Sequence, residues 1–183
     1  PRWQAALHTS SGAFLSAAIK ADRSLVVRGY AVDMYADAFR EPPQSALNAS
    51  AMWQAGIGGF LAGYHYFYPV PPEYAKLISI AALEYLAQPA NFLTLGHLLP
   101  RSTNVSIGLH ADGLAAATDM AKNRVSNPVM SFVHTAMEAI PAYKELRHQC
   151  HVSHEYGLGN SCADAASRNH MTRLYELCQA LGV

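Results

Sequence analysis

Apolar residues recur along the chain with two different spacings, which predict strands and helices in a mixed order. Strand-like alternation, or a β-branched and aromatic composition, marks VVRGYAVDMYADAF (26–39), the hairpin GIGGFLAGYHYFYPV (56–70), NVSIGLHAD (104–112) and ELRHQCHVSHEY (145–156). Helical spacing or helix-entry residues mark EYAKLISIAALEYLAQ (73–88), GLAAATDMAK (113–122), SNPVMSFVHTAMEAI (126–140) and NSCADAASRNHMTRLYELCQAL (160–181). Because a tight hairpin joins antiparallel strands, this order predicts an α/β domain whose sheet begins with an antiparallel portion.

The same pattern predicts several boundaries. The first strand should end at Asp37, and the segment 40–55, rich in Pro, Ser and Asn, should be a long loop. One face of the helix predicted at 73–88 contains Leu77, Ile80, Ala81, Glu84 and Ala87. This spacing puts the Glu84 carboxylate on or beside an apolar face, and Asn160 should cap the last helix.

The length of the chain fits one substantial core. It has 183 residues, of which 51% are hydrophobic, so a single domain is expected. Residues 3–20 have a partly helical spacing that Ser10-Ser11-Gly12 interrupts. We therefore expect 1–29 to be a helical lead-in or a linker from a preceding domain, and 30–183 to be the folded domain.

Charge and cysteine content limit the partners and the cellular compartment that can be expected. Lys plus Arg and Asp plus Glu each number 13, so the zero net charge does not by itself indicate a nucleic-acid partner. Three cysteines are too few for a disulfide framework, which favours a reducing, intracellular compartment, cytoplasmic or nuclear. Apolar stretches are too short for a membrane span, so no membrane contact is expected, and Pro1 predicts a piece cut from a longer polypeptide.

Four acidic residues fall at transitions between the predicted elements. They are Asp37, Glu84, Asp112 and Asp164. Ligand crevices of open α/β sheets form at strand ends and helix starts, so these carboxylates are expected to converge. Clustered carboxylates repel one another unless a cation lies between them, and hard oxygen ligands suit Mg²⁺ or Mn²⁺. A pair of such ions can activate a water and stabilise the leaving oxygen of a phosphodiester.

These residues resemble a known family, the ribonuclease H domain that follows the reverse transcriptase of DIRS-type and related tyrosine-recombinase retrotransposons. A strand ending in Asp-Ala and a Gly-rich strand are matched by YADA (35–38) and GIGGFLAG (56–63). The family's Ser-x-x-x-Leu-Glu-x-x-Ala helix is matched by SIAALEYLA (79–87), and its third acidic strand end by LHADG (109–113). HEYGLGNSCADAASR (154–168) matches the closing His-x-x-Gly-x-x-Asn-x-x-Ala-Asp-x-x-Ser-Arg, the most specific of these motifs.

The resemblance implies a ribonuclease H-like fold, with a mixed five-stranded sheet of an antiparallel hairpin plus parallel strands, flanked by helices. It implies hydrolysis of the RNA strand of RNA/DNA hybrids during reverse transcription, beside an adjacent reverse transcriptase domain. The implied ligands of two Mg²⁺ or Mn²⁺ ions are Asp37, Glu84, Asp112 and Asp164, with His154 assisting proton transfer or product release. Asp33 is an alternative to Asp37, although the following Ala38 favours Asp37.

The sequence departs from the family's pattern in three ways. The 40–55 segment is longer than the usual turn, and Gly113 replaces the usual Asn or Ser, changes expected to affect substrate contacts rather than metal ligands. The zero net charge predicts a modest affinity for the hybrid. Candidate contacts to substrate phosphates are Lys122, Arg124 and Arg168, with Arg147 and Arg173 as further candidates.

Other interpretations of the same residues remain open. The domain could be a catalytically silent structural or protein-interaction module, or a DNA nuclease of the same fold. The HQCH stretch with His154 could be a zinc site if it lay in a loop, whereas a strand would split its ligands between two faces. The aromatic run YHYFY (64–68) could stack bases, although core and sheet surface are its commoner uses.

Overall fold

The computed structural model describes residues 31–43, 52–99, 106–122, 125, 127–155, 157 and 159–183. Its strands are β1 (Ala31–Glu41), β2 (Gln54–Leu61), β3 (Tyr64–Pro69), β4 (Ser106–Ala111) and β5 (Cys150–His154). They form a five-stranded sheet in the order β3-β2-β1-β4-β5. β1, β2 and β3 pair antiparallel, whereas β1, β4 and β5 pair parallel. The predicted mixed five-stranded sheet is confirmed.

Helices connect and flank these strands. They are α1 (Pro72–Ala75), α2 (Ile80–Leu95), α3 (Leu114–Lys122), α4 (Pro128–Glu138), α5 (Pro141–Arg147), α6 (Ser161–Ser167) and α7 (Met171–Leu181), with a 3₁₀ turn at Gly96–Leu98. In the part of the chain that the structure describes, none of the helices is long and apolar enough to cross a membrane.

The sheet separates two apolar layers. Side chains alternate between the faces of a strand, so Met34 of β1 and Leu109 of β4 point to one face, where α2 and α3 cover them. On the other face Phe60 of β2 packs with the small residues of α6 and with Leu174 of α7. The short helix α6 therefore lies directly on β1 and β2, opposite the larger helical layer.

Glycines of β2 allow helices to approach the sheet closely. A Cβ atom at Gly58 would overlap the backbone of Ser167 and lie 2.6 Å from the carbonyl carbon of Ala166. At Gly59, on the opposite face, a Cβ atom would lie 2.6 Å from Oδ1 of Asn91 in α2. The GIGG sequence is thus explained by close packing on both faces of the strand.

Two boundaries of the antiparallel portion differ from the prediction. β1 does not end at Asp37 but continues to Glu41, which pairs with Gln54, so both ends of the predicted 40–55 loop are strand. Polar residues extend the strand because they find partners: Arg40 Nε donates to the carbonyl oxygen of Ala75 at 2.7 Å, and its guanidinium lies 4.0 Å from the Trp53 ring. Residues 44–51, the predicted lead-in 1–29 and the start of the 26–39 strand lie outside the described residues.

The helix predicted at 73–88 is wrong in its bounds and in its apolar face. It divides at Ser79, whose hydroxyl accepts a hydrogen bond from the Ala82 amide, and α2 then continues through Pro89 to Leu95. Leu77, assigned to the buried face, is 77% exposed. The buried side of α2 includes Leu83 and Tyr85 and also polar Gln88 and Asn91, so apolar spacing alone gave the wrong orientation.

The last two predicted elements are also shorter. Residues 145–147 belong to α5, and β5 covers only Cys150–His154. The helix predicted at 160–181 breaks into α6 and α7 at Asn169, whose φ of 56° is left-handed. Asn160 precedes α6 as predicted, but its side chain does not cap the helix; its Nδ2 donates to the carbonyl oxygen of Ala36 at 3.2 Å.

Candidate active site

Asp37 and Asp112 occupy equivalent positions on neighbouring strands. The parallel pairing of β1 with β4 ends where Tyr35 lies opposite His110, and each aspartate follows two residues later. Beyond that point the strands separate, which is where an open sheet of this kind forms a crevice. The two carboxylates therefore lie on the same face at the same end of the sheet.

Burial and mutual repulsion disfavour ionisation of Asp37. This side chain is 3% exposed, and burial, reinforced by the Asp112 and Asp164 carboxylates, raises its pKa to about 8. The Ser167 hydroxyl, which donates to Asp37 Oδ2 at 2.7 Å, opposes this rise. Oδ1 of Asp112 is itself buried and has no hydrogen-bond partner among the described residues.

Helix α2, which packs on the face of the sheet opposite α6, brings Glu84 close to Asp112. Burial, and then the Asp112 carboxylate, raise its pKa to about 7. Its carboxylate lies against Gly113, where a Cβ atom would overlap it. The expectation that Gly113 affects substrate contacts alone is therefore wrong, because the missing side chain makes room for a candidate ligand.

Asp164 lies on α6 and is half-exposed. Arg168 Nε donates to Asp164 Oδ1 at 2.8 Å, and Arg168 Nη1 donates to Glu41 Oε1 at 2.7 Å. The guanidinium also lies 5.4 Å from the ring of Phe39. Arg168, a candidate phosphate contact, is thus held by two carboxylates of the protein.

His154 ends β5 beside Asp112. Its Nε2 lies 2.8 Å from the backbone carbonyl oxygen of Asp112, to which the ring N–H donates. The fold therefore brings the candidate histidine to the same strand end as the acidic group, the name used below for Asp37, Glu84, Asp112 and Asp164.

Asp33, the alternative first acid, is engaged elsewhere. Its Oδ1 lies 2.8 Å from His110 Nε2, and His110 Nδ1 lies 2.7 Å from Ser153 Oγ. His110 also stacks on Tyr35 with ring centroids 4.6 Å apart. Asp33 thus belongs to a polar network between β1, β4 and β5, and four residues of strand, about 13 Å, separate it from Asp37.

Three buried amides lie near the site, of which Gln88 and Asn91 were missed from the sequence and Asn160 was assigned a capping role. Nδ2 of Asn160 contacts Ala36, as noted above, while Gln88 Nε2 donates to the His110 carbonyl oxygen at 2.9 Å and Asn91 Nδ2 to that of Tyr35 at 3.0 Å. All three are at most 1% exposed. They bind backbone carbonyls of β1 and β4 next to the two aspartates, and polar positions within the apolar side of α2 were the only sequence signal for two of them.

The remaining substrate candidates are less well defined. Lys122 is exposed at the end of α3, and Arg124 lies outside the described residues. Arg147 donates to Glu138 Oε1 at 3.1 Å. Among the described residues, neither Lys122 nor Arg147 forms an ion pair with the acidic group.

The acidic group has the ligand chemistry of a divalent-cation site but, among the described residues, not a complete set of ligands around one point. The donor set consists of hard oxygen ligands, it includes Asp112 Oδ1, which has no hydrogen-bond partner among the described residues, and the Asp112 carboxylate raises the pKa of both Asp37 and Glu84, all of which fits a divalent cation. However, no group of three or more His, Cys, Asp or Glu side chains in the described ranges is arranged to hold a metal ion. The acidic group therefore consists of close pairs that share members, rather than a preformed cage.

The HQCH stretch and the aromatic run have ordinary structural positions. His148 follows α5, whereas Cys150 and His151 begin β5, and Cys150 Sγ donates to the Leu146 carbonyl oxygen at 3.1 Å. In β3, Tyr66 and Tyr68 share the face toward α2, where Tyr66 donates to the Ala87 carbonyl oxygen at 2.6 Å and the Tyr68 hydroxyl lies 3.0 Å from Thr94 Oγ1. Strand alternation puts His65 and Phe67 on the other face.

Comparisons with solved structures identify the fold. The chain is similar to RNase H1 from the halophilic archaeon Halobacterium salinarum NRC-1, with a TM-score of 0.53 and 16% identity, over 78% of this chain and 98% of that one. It is also similar to LC11-RNase H1 isolated from compost by a metagenomic approach, with a TM-score of 0.50 and 12% identity, over 75% of this chain and 93% of that one. The fold is that of ribonuclease H. No protein-family model and no curated protein matches the sequence.

Proposed function

We propose that the chain is a metal-dependent endonuclease that hydrolyses the RNA strand of RNA/DNA hybrids. The observation that supports this best is the juxtaposition of the buried Asp37 carboxylate with Asp112, whose Oδ1 is buried, at a strand end of a ribonuclease H fold. We further propose, from the sequence motifs, that it acts in reverse transcription beside a reverse transcriptase domain of a longer polypeptide.

Each residue has a distinct part in the proposed reaction. Asp37, Glu84, Asp112 and Asp164 would hold two Mg²⁺ or Mn²⁺ ions, which when bound supply an activated water and stabilise the leaving oxygen. His154, whose imidazole contacts the Asp112 backbone, would assist proton transfer or product release. Lys122, Arg124 and Arg168 remain the proposed phosphate contacts.

Cleavage of a labelled hybrid tests the proposal. Wild-type protein should cut the RNA strand with Mg²⁺ and not with a chelator, and Asp112→Asn should reduce the rate by about 100-fold or more, as expected when a catalytic carboxylate is lost. Asp119→Asn, on α3 and outside the acidic group, is the matched control and should cut normally. Equal cleavage by wild type and Asp112→Asn would contradict the proposal. Preference for double-stranded RNA or branched DNA would instead favour another nuclease of this fold.

A silent module is the second candidate, because no three described ligands form a cage. Thermal melting separates the two. If the domain binds Mn²⁺, a concentration of about 100 times Kd should stabilise it by about 2.7 kcal/mol, because the ion binds the folded chain preferentially. A melting temperature that Mn²⁺ does not change, together with no cleavage, would support the silent module.

A further inference from the structure

Ser167 is buried at the point where α6 meets β1. The side chain has 0% exposure, and its Oγ lies 2.7 Å from Asp37 Oδ2 and 3.0 Å from the Asp164 carbonyl oxygen. A hydroxyl carries one proton, and the shorter contact is to a carboxylate, the stronger kind of acceptor. This hydrogen bond therefore links Asp37 of β1 to α6, the helix that contains Asp164.

The position of Ser167 is fixed by the backbone around it. Its amide nitrogen and Cα lie against Gly58, the residue that pairs with Asp37 across the sheet. The next residue, Arg168, holds Asp164 and Glu41 through its guanidinium. Two consecutive side chains at the end of α6 thus each contact one carboxylate of the acidic group.

The alternatives for Asp37 are few in the described part of the chain. Its neighbours in the acidic group are Asp112 and Asp164, and both repel it. Ser167 donates to its carboxylate and lowers its pKa, whereas a hydrogen bond with the Asp112 side chain, which needs a proton on one of the two carboxyl groups, raises that pKa. Without the Ser167 hydrogen bond the Asp37 carboxylate would lose its link to α6, and its ionised form would be still less stable in this buried site.

We propose that Ser167 is a positioning residue that fixes the Asp37 carboxylate in the orientation needed to share a divalent cation with Asp112. This inference rests on the proposed function, because it assigns the acidic group to cation binding. Ser167 acts through Asp37 and does not itself touch the substrate or the cation.

Mn²⁺ binding, measured by calorimetry, is the first test. Ser167→Ala removes only the hydroxyl, and alanine suits a buried helical position, so the domain should fold. We expect Mn²⁺ affinity to fall about tenfold, because the variant loses one charge-assisted hydrogen bond. A tenfold change in Kd corresponds to about 1.4 kcal/mol. Ser131→Ala, at an exposed position on α4, is the matched control and should bind Mn²⁺ like wild type. Ser167→Cys keeps a weaker donor and should give an intermediate affinity.

Kinetics and a double-mutant cycle complete the test. For hybrid cleavage, Ser167→Ala should lower kcat about tenfold and leave KM unchanged, because the substrate does not touch Ser167. In the Asp37→Asn background Ser167→Ala should cause no further loss of Mn²⁺ affinity. A purely structural role would lower the melting temperature while leaving Mn²⁺ affinity and kcat at wild-type values, and that outcome would overturn the inference. Absence of Mn²⁺ binding and cleavage in wild type would instead overturn the proposed function, and the inference with it.

Discussion

At the scale of single residues, the site combines acids that destabilise one another with a few donors that hold them. Asp37 has the Ser167 hydroxyl, and Asp164 has the Arg168 guanidinium. Arg168 is also a proposed phosphate contact, and its two ion pairs use Nε and Nη1. Because a guanidinium has five N–H donors, the Nη2 group could bind a phosphate while both ion pairs stay in place.

The raised pKa of Asp37 predicts how stability depends on pH in metal-free protein. In the unfolded chain this group ionises near 3.8, whereas in the folded protein its pKa is about 8. Between these values the folded state binds the extra proton, so the free energy of unfolding should fall as pH rises from about 4 to about 8. Asp37→Asn removes this proton linkage and should be more stable than wild type at pH 8, by on the order of 2 kcal/mol.

Denaturant unfolding in the presence of a chelator, at pH 5 and at pH 8, would measure this difference. Asp119→Asn should follow the pH dependence of wild type, because that residue lies outside the acidic group. Parallel losses of stability with pH in wild type and Asp37→Asn would show that Asp37 does not cause the effect.

At the scale of elements, α6 is a seven-residue helix that depends on its neighbours. An isolated helix of this length is unstable in water. Here Ala163, Ala165 and Ala166 are buried, and Gly58 lets the helix backbone reach β2. The position of Asp164 is thus set by the packing of small residues rather than by long side chains.

The same element explains how far the sequence could be interpreted. The order of strands and helices was predictable because spacing and turn residues are local signals, and the closing motif (154–168), which contains Asp164, located α6. The orientation of α2 was not predictable, because its buried side includes Gln88 and Asn91, whose partners are carbonyls of strands distant in sequence. The extension of β1 to Glu41 was missed for the same reason, since its partner Arg168 lies 127 residues away.

Gly58→Ala tests the dependence of the site on this packing. The added Cβ would overlap the backbone of Ser167, which cannot rotate away as a flexible side chain could. We expect a loss of about 1 to 3 kcal/mol in the free energy of unfolding, the usual cost of overpacking. Displacement of α6 should also weaken Mn²⁺ binding, because it moves Asp164 and Ser167 away from Asp37.

Gly96→Ala is the matched control for this substitution. A Cβ atom there would lie 3.6 Å from the Leu146 side chain, an ordinary contact, and the φ of Gly96 is −61°. It should cost much less stability and leave Mn²⁺ binding unchanged. Wild-type stability and metal affinity in Gly58→Ala would contradict the close packing of α6 on β2.

At the scale of the whole molecule, the balance of charge sets the electrostatics of substrate binding. Basic and acidic residues each number 13, so the chain carries no net charge. In the described ranges, Arg147, Arg168 and Arg173 already pair with carboxylates. Few cations are thus left to bind phosphates, and under the proposed function a hybrid approaching the acidic group would depend on bound metal ions to offset the negative charge of the carboxylates.

A weak dependence of hybrid binding on salt is the resulting prediction. Each phosphate neutralised by the protein contributes about −0.9 to the slope of log K against log salt, so about three contacts should give a slope near −3. The inactive Asp112→Asn protein, titrated with labelled hybrid at constant Mg²⁺, allows binding to be measured without cleavage. Between about 50 and 200 mM salt, affinity should fall by about 40-fold. Lys122→Ala should make the slope shallower by about 1 if this exposed lysine binds a phosphate. A slope steeper than about −6 would mean that the protein presents a basic surface that its described residues do not account for.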